Sequence, residues 1–404
     1  MKKKSVIFYV EAVLIAIMTL LAIVLTVIGA VNVNRKVESY KFIESCEFVR
    51  TMTAEEEDYS EDDTVCAVEY EAYDGKYTCT VNYTYEQWQE LDGNTIIGYV
   101  YELDDGHFVA FDHEATEDDI AKAAKDIYAD EQSPYFNAAI AIILLAAGLA
   151  VITFWAKFFT LYEKVWFMTI LVLACVVSIL FPEEDCNGIN GIWIMALYLL
   201  DTFLNILCEL LISKQSKWNF IVSVFVEITE ILICILLAYR FATMATTLFF
   251  WLPIDIISFI NWHKHPDKKD DELTQVRKLS GWGAVLIIAG IFVWTVVVGY
   301  LLSGLDITSD LFNGDKALAN AVCYIDACAS AVGVANGLFI LFRFREQWIA
   351  WYICAALESV INIISGQYVL LVLKLGYFTN TTYGYIKWTR YISSRKKENE
   401  QLPE

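Results

Sequence analysis

Ten long apolar stretches dominate the chain, and each is long enough to form a helix that crosses a bilayer. A bilayer core of roughly 30 Å requires about 20 apolar residues in a helix. The first stretch follows Lys2, Lys3 and Lys4, but its uncharged run is too long for a signal-peptide core, so we interpret it as an anchor. The ten predicted spans cover about 8–32, 135–156, 164–181, 190–212, 218–239, 242–262, 281–302, 317–342, 348–366 and 367–388.

Between the first two spans the pattern changes to strand-like alternation. Residues 65–73 and 77–83 alternate on either side of an Asp74-Gly75 turn, which predicts a β-hairpin. Thr116, followed three residues later by Asp119, predicts the start of a helix that runs to about residue 130. We therefore expect a small β-rich domain here.

Composition and charge agree with this division. Hydrophobic residues make up 57% of the chain and mean hydropathy is +0.46, which is typical of an integral membrane protein. Residues 35–133 hold 7 basic and 27 acidic side chains, whereas the remaining 305 residues hold 22 and 23. An acidic segment repels phosphate, so we expect no nucleic-acid partner.

The distribution of basic residues predicts the orientation. With a cytoplasmic N-terminus, ten spans place 19 Lys and Arg in cytoplasmic loops and tails, while the short outer loops receive only Arg240 and Lys316. This asymmetry follows the positive-inside rule. We expect a multi-pass plasma-membrane protein with both termini cytoplasmic and residues 35–133 extracellular.

Five regions follow from these patterns. They are an N-terminal transmembrane anchor (1–34), an acidic extracytoplasmic β-rich domain (35–133), two additional transmembrane helices (134–189), a seven-helix membrane core (190–392) and a cytoplasmic tail (393–404). Cys46, Cys66, Cys79 and Cys186 fall outside, where one or two disulfides stay open. No phosphate loop, metalloprotease or hydrolase motif occurs, so we expect no enzyme, cofactor or metal.

The core contains an internal repeat. Residues 197–201 resemble 322–326, and residues 259–262 resemble 385–388. Between these pairs, Phe225-Val-Glu227 resembles Ala356-Leu-Glu358, at an offset of 131 residues. The fourth to sixth spans and the eighth to tenth spans therefore form two copies. Since one span separates them, the copies are predicted to be parallel.

Several loop-to-helix motifs are similar to those of the PnuC family of vitamin transporters. They are Lys214-Gln-Ser-Lys-Trp218-Asn219-Phe220, Glu346-Gln347-Trp348-Ile-Ala-Trp351, Asp326-Ala-Cys-Ala-Ser330 and Gly384-Tyr-Ile-Lys-Trp388. The resemblance covers roughly residues 190–392. It implies an all-α polytopic fold with a three-plus-one-plus-three arrangement of helices. It also implies facilitated uptake of nicotinamide riboside or a related vitamin.

Rare acidic residues mark the predicted site. At 1.5 Å per helical residue, Asp201, Glu227, Asp326 and Glu358 all lie near the bilayer midplane. An ionised acid there costs at least ~2.5 kcal/mol, and Lys374 is the one base we find away from the ends of the predicted spans. The acids are either structural groups held by hydrogen bonds or a cation site.

Aromatic residues favour the cation site. Trp351 and Glu358 lie two turns apart on one helix face, where a ring and a carboxylate can hold a planar cation. For Trp218, Trp348 and Trp388 an interfacial aromatic belt is the alternative, and Asn362 can also cross-link helices. The predicted substrate-binding residues are Trp218, Asn219, Glu227, Asp326, Trp348, Trp351, Glu358 and Asn362.

The leading hypothesis is uptake of a cationic vitamin by rocking of two helical units. Nicotinamide riboside is the favoured substrate, with thiamine or a nucleoside as alternatives. An ion-coupled transporter that uses the same acids, and an extracytoplasmic ligand sensor, stay open as other functions. The expected partners are the vitamin and the lipid bilayer, and the sequence leaves a homo-oligomer open.

Overall fold

The computed structural model describes residues 6–51, 65–91, 94–183, 185, 189–236, 240–265, 276–304 and 316–401. Residues 2–4, 60 and 186 lie outside these ranges. The chain divides into two compact units. One is Val24–Phe136, and the other combines Met1–Ile23 with Asn137–Glu404.

The first unit is an antiparallel sheet packed against a helix. Its strands are β1 (Tyr40–Thr51), β2 (Cys66–Ala72), β3 (Tyr77–Tyr83), β4 (Thr95–Leu103) and β5 (Phe108–Phe111), in the order β3-β2-β1-β4-β5. A short helix, α2 (Tyr85–Gln89), follows β3. The predicted hairpin is confirmed, since Ala72 pairs with Tyr77 across a turn in which Gly75 has a φ of 83°. Cys46, Cys66 and Cys79 are free thiols.

Two long helices belong partly to each unit. They are α1 (Val6–Val33) and α3 (Glu117–Phe154). The predicted helix start is confirmed, because the Asp119 carboxylate accepts the Thr116 backbone N–H at 2.9 Å. The predicted end near residue 130 and separate span at 135–156 are wrong. The helix continues through Pro134, although proline removes one backbone hydrogen bond and disfavours a helix interior. Burial of apolar side chains along α3, before and after the proline, offsets this cost.

Helices occupy the remaining predicted spans. They are α4 (Leu161–Leu180), α5 (Gly191–Ser213), α6 (Asn219–Leu236), α7 (Phe241–Thr246), α8 (Leu252–Lys264), α9 (Gly281–Ser303), α10 (Lys316–Leu341), α11 (Gln347–Ile364) and α12 (Tyr368–Gln401). Within the described ranges, eight helical segments are long and apolar enough to cross a membrane, with α7 and α8 counted as one. The chain is therefore a multi-pass membrane protein.

The sixth predicted span is not a regular helix. A π-helical turn, Thr247–Trp251, joins α7 to α8. Pro253 lies in the first turn of α8, and its missing N–H favours a local change in the hydrogen-bond ladder. The turn directs Thr247 and Trp251 toward the interior of the unit, where they line a cavity.

The loops after α5 and α10 share one geometry. Gln215 and Arg343 have φ angles of 62° and 61°. In each loop the following residue bonds back five positions, Ser216 to Leu211 at 3.0 Å and Phe344 to Phe339 at 2.8 Å. These residues stand 128 positions apart in the chain. The same offset pairs Glu230 with Glu358, whereas the sequence comparison paired Glu227 with Glu358.

Three tryptophans form a buried cluster beside these loops. Trp262, Trp348 and Trp388 are fully buried. The ring of Trp348 lies 5.6 Å from that of Trp388, and the ring of Phe220 lies 5.0 Å from that of Trp262, both edge to face. The interfacial-belt interpretation of Trp348 and Trp388 is therefore wrong, because aromatic packing removes both rings from the lipid-facing surface.

Candidate functional site

A cavity of about 90 Å³ lies inside the helical unit. Side chains from α5, α6, α7, α8, α10, α11 and α12 line it, together with the π turn and Arg240. Since one water needs about 10–15 Å³ by this measure, the cavity has room for several waters. A nucleoside-sized molecule requires it to expand.

Acidic side chains outnumber basic ones around this cavity. Arg240 and Lys374 are the two bases that line it among the described residues. Six acids line it and a seventh, Asp326, contacts α7 behind the wall. The lining acids are Asp201, Glu209, Glu227, Glu230, Asp255 and Glu358. Burial penalises each ionised acid, so an excess of this size favours bound cations or protons.

Glu358 belongs to an ion network rather than standing alone. Its carboxylate forms a direct ion pair with Lys374. Arg240 Nη2 lies 3.6 Å from Glu358 Oε1 and 3.7 Å from Glu230 Oε1. The hydroxyl of Thr247, in the π turn, donates to Glu230 Oε2 at 3.3 Å. Glu358 is thus already neutralised by protein cations.

Three other acids accept hydrogen bonds from neighbouring helices. Asp326 accepts the Ala242 backbone N–H at 2.8 Å and the Thr243 hydroxyl at 2.6 Å, so it caps α7 from α10. Asp201 accepts from the Thr229 hydroxyl at 2.7 Å. In the same way, the Glu209 carboxylate accepts from the Asn380 amide at 2.9 Å.

Glu227 and Asp255 have fewer partners. Glu227 is 4% exposed and Asp255 is 3% exposed. The Ser223 hydroxyl donates to Glu227 Oε1 at 3.4 Å. Glu227 Oε2 and Asp255 Oδ2 are buried without a hydrogen bond from any residue that the structure describes. Glu209 Oε1 is likewise without a hydrogen bond there, but the Asn380 amide donates to its other oxygen at 2.9 Å, a shorter bond than the 3.4 Å bond to Glu227. Glu227 and Asp255 are therefore the acids most available to a cation in the cavity.

An aromatic pair forms another part of the wall. The ring of Trp351 lies 5.1 Å from that of Tyr377 at a tilt of 49°. The Tyr377 hydroxyl donates to Asn205 Oδ1 at 2.5 Å, and Lys374 Nζ lies 4.8 Å from the Tyr377 ring centroid. These contacts fix the Tyr377 ring beside Trp351 at the cavity surface.

The structure brings together only part of the predicted site. Asn219, Glu227, Trp351 and Glu358 line the cavity, whereas Trp218, Asp326, Trp348 and Asn362 do not. Trp218 is 47% exposed, and Trp348 and Asn362 are buried. The Asn219 amide donates to the Ser216 carbonyl at 2.6 Å, so it also fixes the loop after α5.

Several lining residues were missed from the sequence. They are Glu209, Glu230, Arg240, Asp255 and Tyr377. Arg240 was assigned to an outer loop because charge patterning cannot show which way a loop residue folds. Glu230 had a usable signal, since it stands one turn after Glu227 and shares with Glu358 the offset of the two loops.

A multi-pass helical unit built around a charged cavity is typical of membrane transporters. Residues 195–390 match a family model described as Nicotinamide mononucleotide transporter. Over this segment the expected resemblance to the PnuC family is confirmed. The relatives described next are named as transporters and not as enzymes.

Two curated relatives are named Nicotinamide riboside transporter PnuC. The protein from Neisseria mucosa is 22% identical over 242 residues, which cover 58% of this chain and 82% of the relative. The protein from Haemophilus influenzae is 21% identical over 234 residues, which cover 57% of this chain and 91% of the relative. A solved structure titled "Crystal structure of the Vitamin B3 transporter PnuC" has 20% identity and a TM-score of 0.45, and the match covers 58% of this chain and 94% of that one.

Proposed function

We propose that this protein carries nicotinamide riboside or a closely related cationic vitamin across the membrane through the cavity. The observation that carries the proposal is the aromatic pair Trp351 and Tyr377 in the wall of an acid-rich cavity. Both curated relatives are named as nicotinamide riboside transporters. Nicotinamide riboside has a planar ring with a fixed positive charge, which stacks on aromatic faces and attracts carboxylates.

The binding residues of this proposal are Trp351, Tyr377, Glu227 and Asp255. The rings offer a stacking surface, and the two carboxylates offer negative charge that Arg240 and Lys374 do not neutralise. This set is smaller than the set of binding residues predicted from the sequence. Trp218, Trp348 and Asn362 do not line the cavity. Trp218 is exposed, whereas Trp348 and Asn362 are buried.

Transport requires a conformational change, because the cavity of about 90 Å³ is too small for a nucleoside. In our proposal α5–α8 and α10–α12 are parallel copies that rock against each other, with α9 as the linking helix. The matched loops at Gln215 and Arg343 support this pairing. So does Arg240, which lies between Glu230 of one copy and Glu358 of the other.

Uptake into proteoliposomes tests the proposal. Labelled nicotinamide riboside is compared with thiamine, riboflavin and neutral nucleosides, and we expect saturable entry of nicotinamide riboside. Trp351→Ala removes the stacking surface, which is worth about 0.5–2 kcal/mol for a cation, so KM should rise by up to ~30-fold.

Trp282→Ala is the matched control, since Trp282 lies on α9 with 81% of its surface exposed. It should leave uptake unchanged. Entry of nicotinamide riboside at the rate of protein-free liposomes would reject the proposal. An equal loss in the Trp351 and Trp282 variants would remove Trp351 from the site.

A further inference from the structure

Two carboxylates on neighbouring helices face the cavity with one unsatisfied oxygen each. Glu227 lies on α6 and Asp255 on α8, and both are more than nine-tenths buried. Glu227 Oε2 and Asp255 Oδ2 have no hydrogen-bond donor within the described part of the chain. Buried polar atoms are usually paired, so these two oxygens indicate a partner that binds transiently.

One hydroxyl connects the two acids. Ser223 stands one turn before Glu227 and donates to its Oε1 at 3.4 Å. The Ser223 side chain also lies beside Asp255. A single hydroxyl hydrogen cannot satisfy two ionised carboxylates at once, so the two carboxylates lack at least one hydrogen-bond donor.

The surrounding basic side chains do not supply the missing donor to Glu227 and Asp255. Lys374 is paired with Glu358, and Arg240 lies between Glu230 and Glu358. The other groups around the pair add negative charge or none. From each packed element these titratable and charged groups are Asp201, Cys208 and Glu209 of α5, Glu230 of α6, Arg240 before α7, Asp326 of α10, Glu358 of α11, and Lys374 and Tyr377 of α12. Two neighbouring carboxylates in such a site disfavour each other's ionised form.

We propose that Glu227 and Asp255 share one proton while the cavity holds no substrate, and that a cationic substrate exchanges for this proton. The proposal rests on the proposed function for the identity of the cation. On binding, the carboxyl O–H bond breaks, the proton passes to water, and the fixed charge of the substrate takes its place. The charge inside the cavity is unchanged.

Calorimetry on the full chain in nanodiscs tests the exchange. Nicotinamide riboside is titrated in two buffers that differ in ionisation enthalpy, which gives the number of protons released. By linkage we expect about one proton for the cationic vitamin and none for its neutral dihydro form. Glu227→Gln and Asp255→Asn each leave a single acid, and both should abolish the release.

Asp326→Asn is the matched control. Asp326 is equally buried, but hydrogen bonds from Ala242 and Thr243 occupy both of its oxygens. Its variant should release the same number of protons as the wild type. Binding without proton release in the wild type would overturn the proposal. Proton release that persists in both Glu227→Gln and Asp255→Asn would also overturn it. So would binding that is lost when choline replaces sodium in the buffer.

A second measurement separates this proposal from the proposed function. If nicotinamide riboside does not bind at all, the proposed function fails, and the shared proton is then tested without substrate. The infrared C=O band of a protonated carboxyl should disappear as pH rises in the wild type and in Asp326→Asn. At neutral pH the band should be missing from Glu227→Gln, because Asp255 has lost the acid that shares its proton. Identical spectra in Glu227→Gln and the wild type would overturn the shared proton.

Discussion

At the residue scale, Glu358 illustrates how a partner changes the role of a charge. The sequence places it two turns from Trp351, where it resembles the counter-charge of a planar cation. In the structure its carboxylate pairs with Lys374 and lies 3.6 Å from Arg240. A carboxylate with two protein cations contributes little negative charge to a ligand, so its main effect is on the packing of α11 against α12.

This assignment gives a prediction for Glu358→Gln. Removing one partner of a buried ion pair leaves Lys374 unpaired, which should cost about 3–5 kcal/mol of unfolding free energy. The double variant with Lys374→Met should recover most of this loss, because it leaves no unpaired ammonium. Unfolding followed by tryptophan fluorescence measures both. If the single variant keeps wild-type stability and only loses affinity for cationic substrates, Glu358 is the counter-charge after all.

The sequence predicts where the site lies but not how its charges are divided. Glu227 and Glu358 were identified because acids are rare at midplane depth, and Trp351 because it lies two turns from Glu358 on one helix face. Which acid is neutralised depends on where Lys374 and Arg240 point, and helical spacing does not determine that. Asp255 was missed because a single acid in the 242–262 span gave no spacing to compare.

At the scale of single elements, apolar length predicts helices well and their irregularities poorly. Within the described residues, each of the ten predicted spans is mainly helical. The uninterrupted course of α3 through Pro134 and the π turn before Pro253 depend on how much local distortion the neighbouring packing tolerates. Proline thus leaves α3 helical at Pro134, whereas Pro253 accompanies a π turn before α8.

The close contact of α12 with α11 gives a second prediction. A Cβ placed on Gly384 would lie 2.5 Å from the buried ring of Trp348. Gly384→Ala should therefore force the helices apart and cost about 1–3 kcal/mol of stability. Gly290→Ala on α9 is the control, since a Cβ there meets nothing within 4 Å. Melting temperatures compare the two, and equal effects would contradict the close contact.

In the β-rich unit, His107 connects the β4–β5 turn to α3. Its Nδ1 lies 3.1 Å from Asp105 and its Nε2 lies 3.0 Å from Glu131. The hydrogen bond with Asp105 raises the pKa of His107, with a further contribution from Glu131. The charged ring thus stabilises the folded unit below the ordinary histidine pKa of about 6.5. This contribution is lost as pH rises through the raised value.

We therefore expect amide exchange around Glu131 to accelerate between pH 6 and pH 8, beyond the intrinsic effect of pH on exchange. Hydrogen-exchange mass spectrometry of the full chain measures this. His107→Gln should abolish the additional pH dependence in this segment. His113→Gln is the control, because His113 interacts with Asp112 and Asp119 instead. A wild-type response in His107→Gln would assign the effect to another group.

At the scale of the whole molecule, the acidic residues are concentrated in one part of the chain and most of the basic residues in the other, and the fold explains only part of this separation. The 27 acidic side chains of residues 35–133 all belong to the β-rich unit, whereas 22 basic side chains belong to the remaining chain. The membrane supplies the physical reason. Basic loops stay on the cytoplasmic side during insertion, while acidic segments have little influence on orientation.

The distribution of basic residues predicts the orientation of the chain in the membrane. The acidic unit should face outward and the C-terminus of α12 should face the cytoplasm. A cysteine at Glu86, which is exposed in the β-rich unit, and one at Ser394, which is exposed near the end of α12, provide the two reporters. In intact cells an impermeant maleimide should modify the first and reach the second only after permeabilisation. Peptide mass spectrometry distinguishes them from native cysteines, with the unmodified sequence as control. Labelling in the opposite order would contradict the predicted outward position of the β-rich unit and the predicted cytoplasmic position of the C-terminal end of α12.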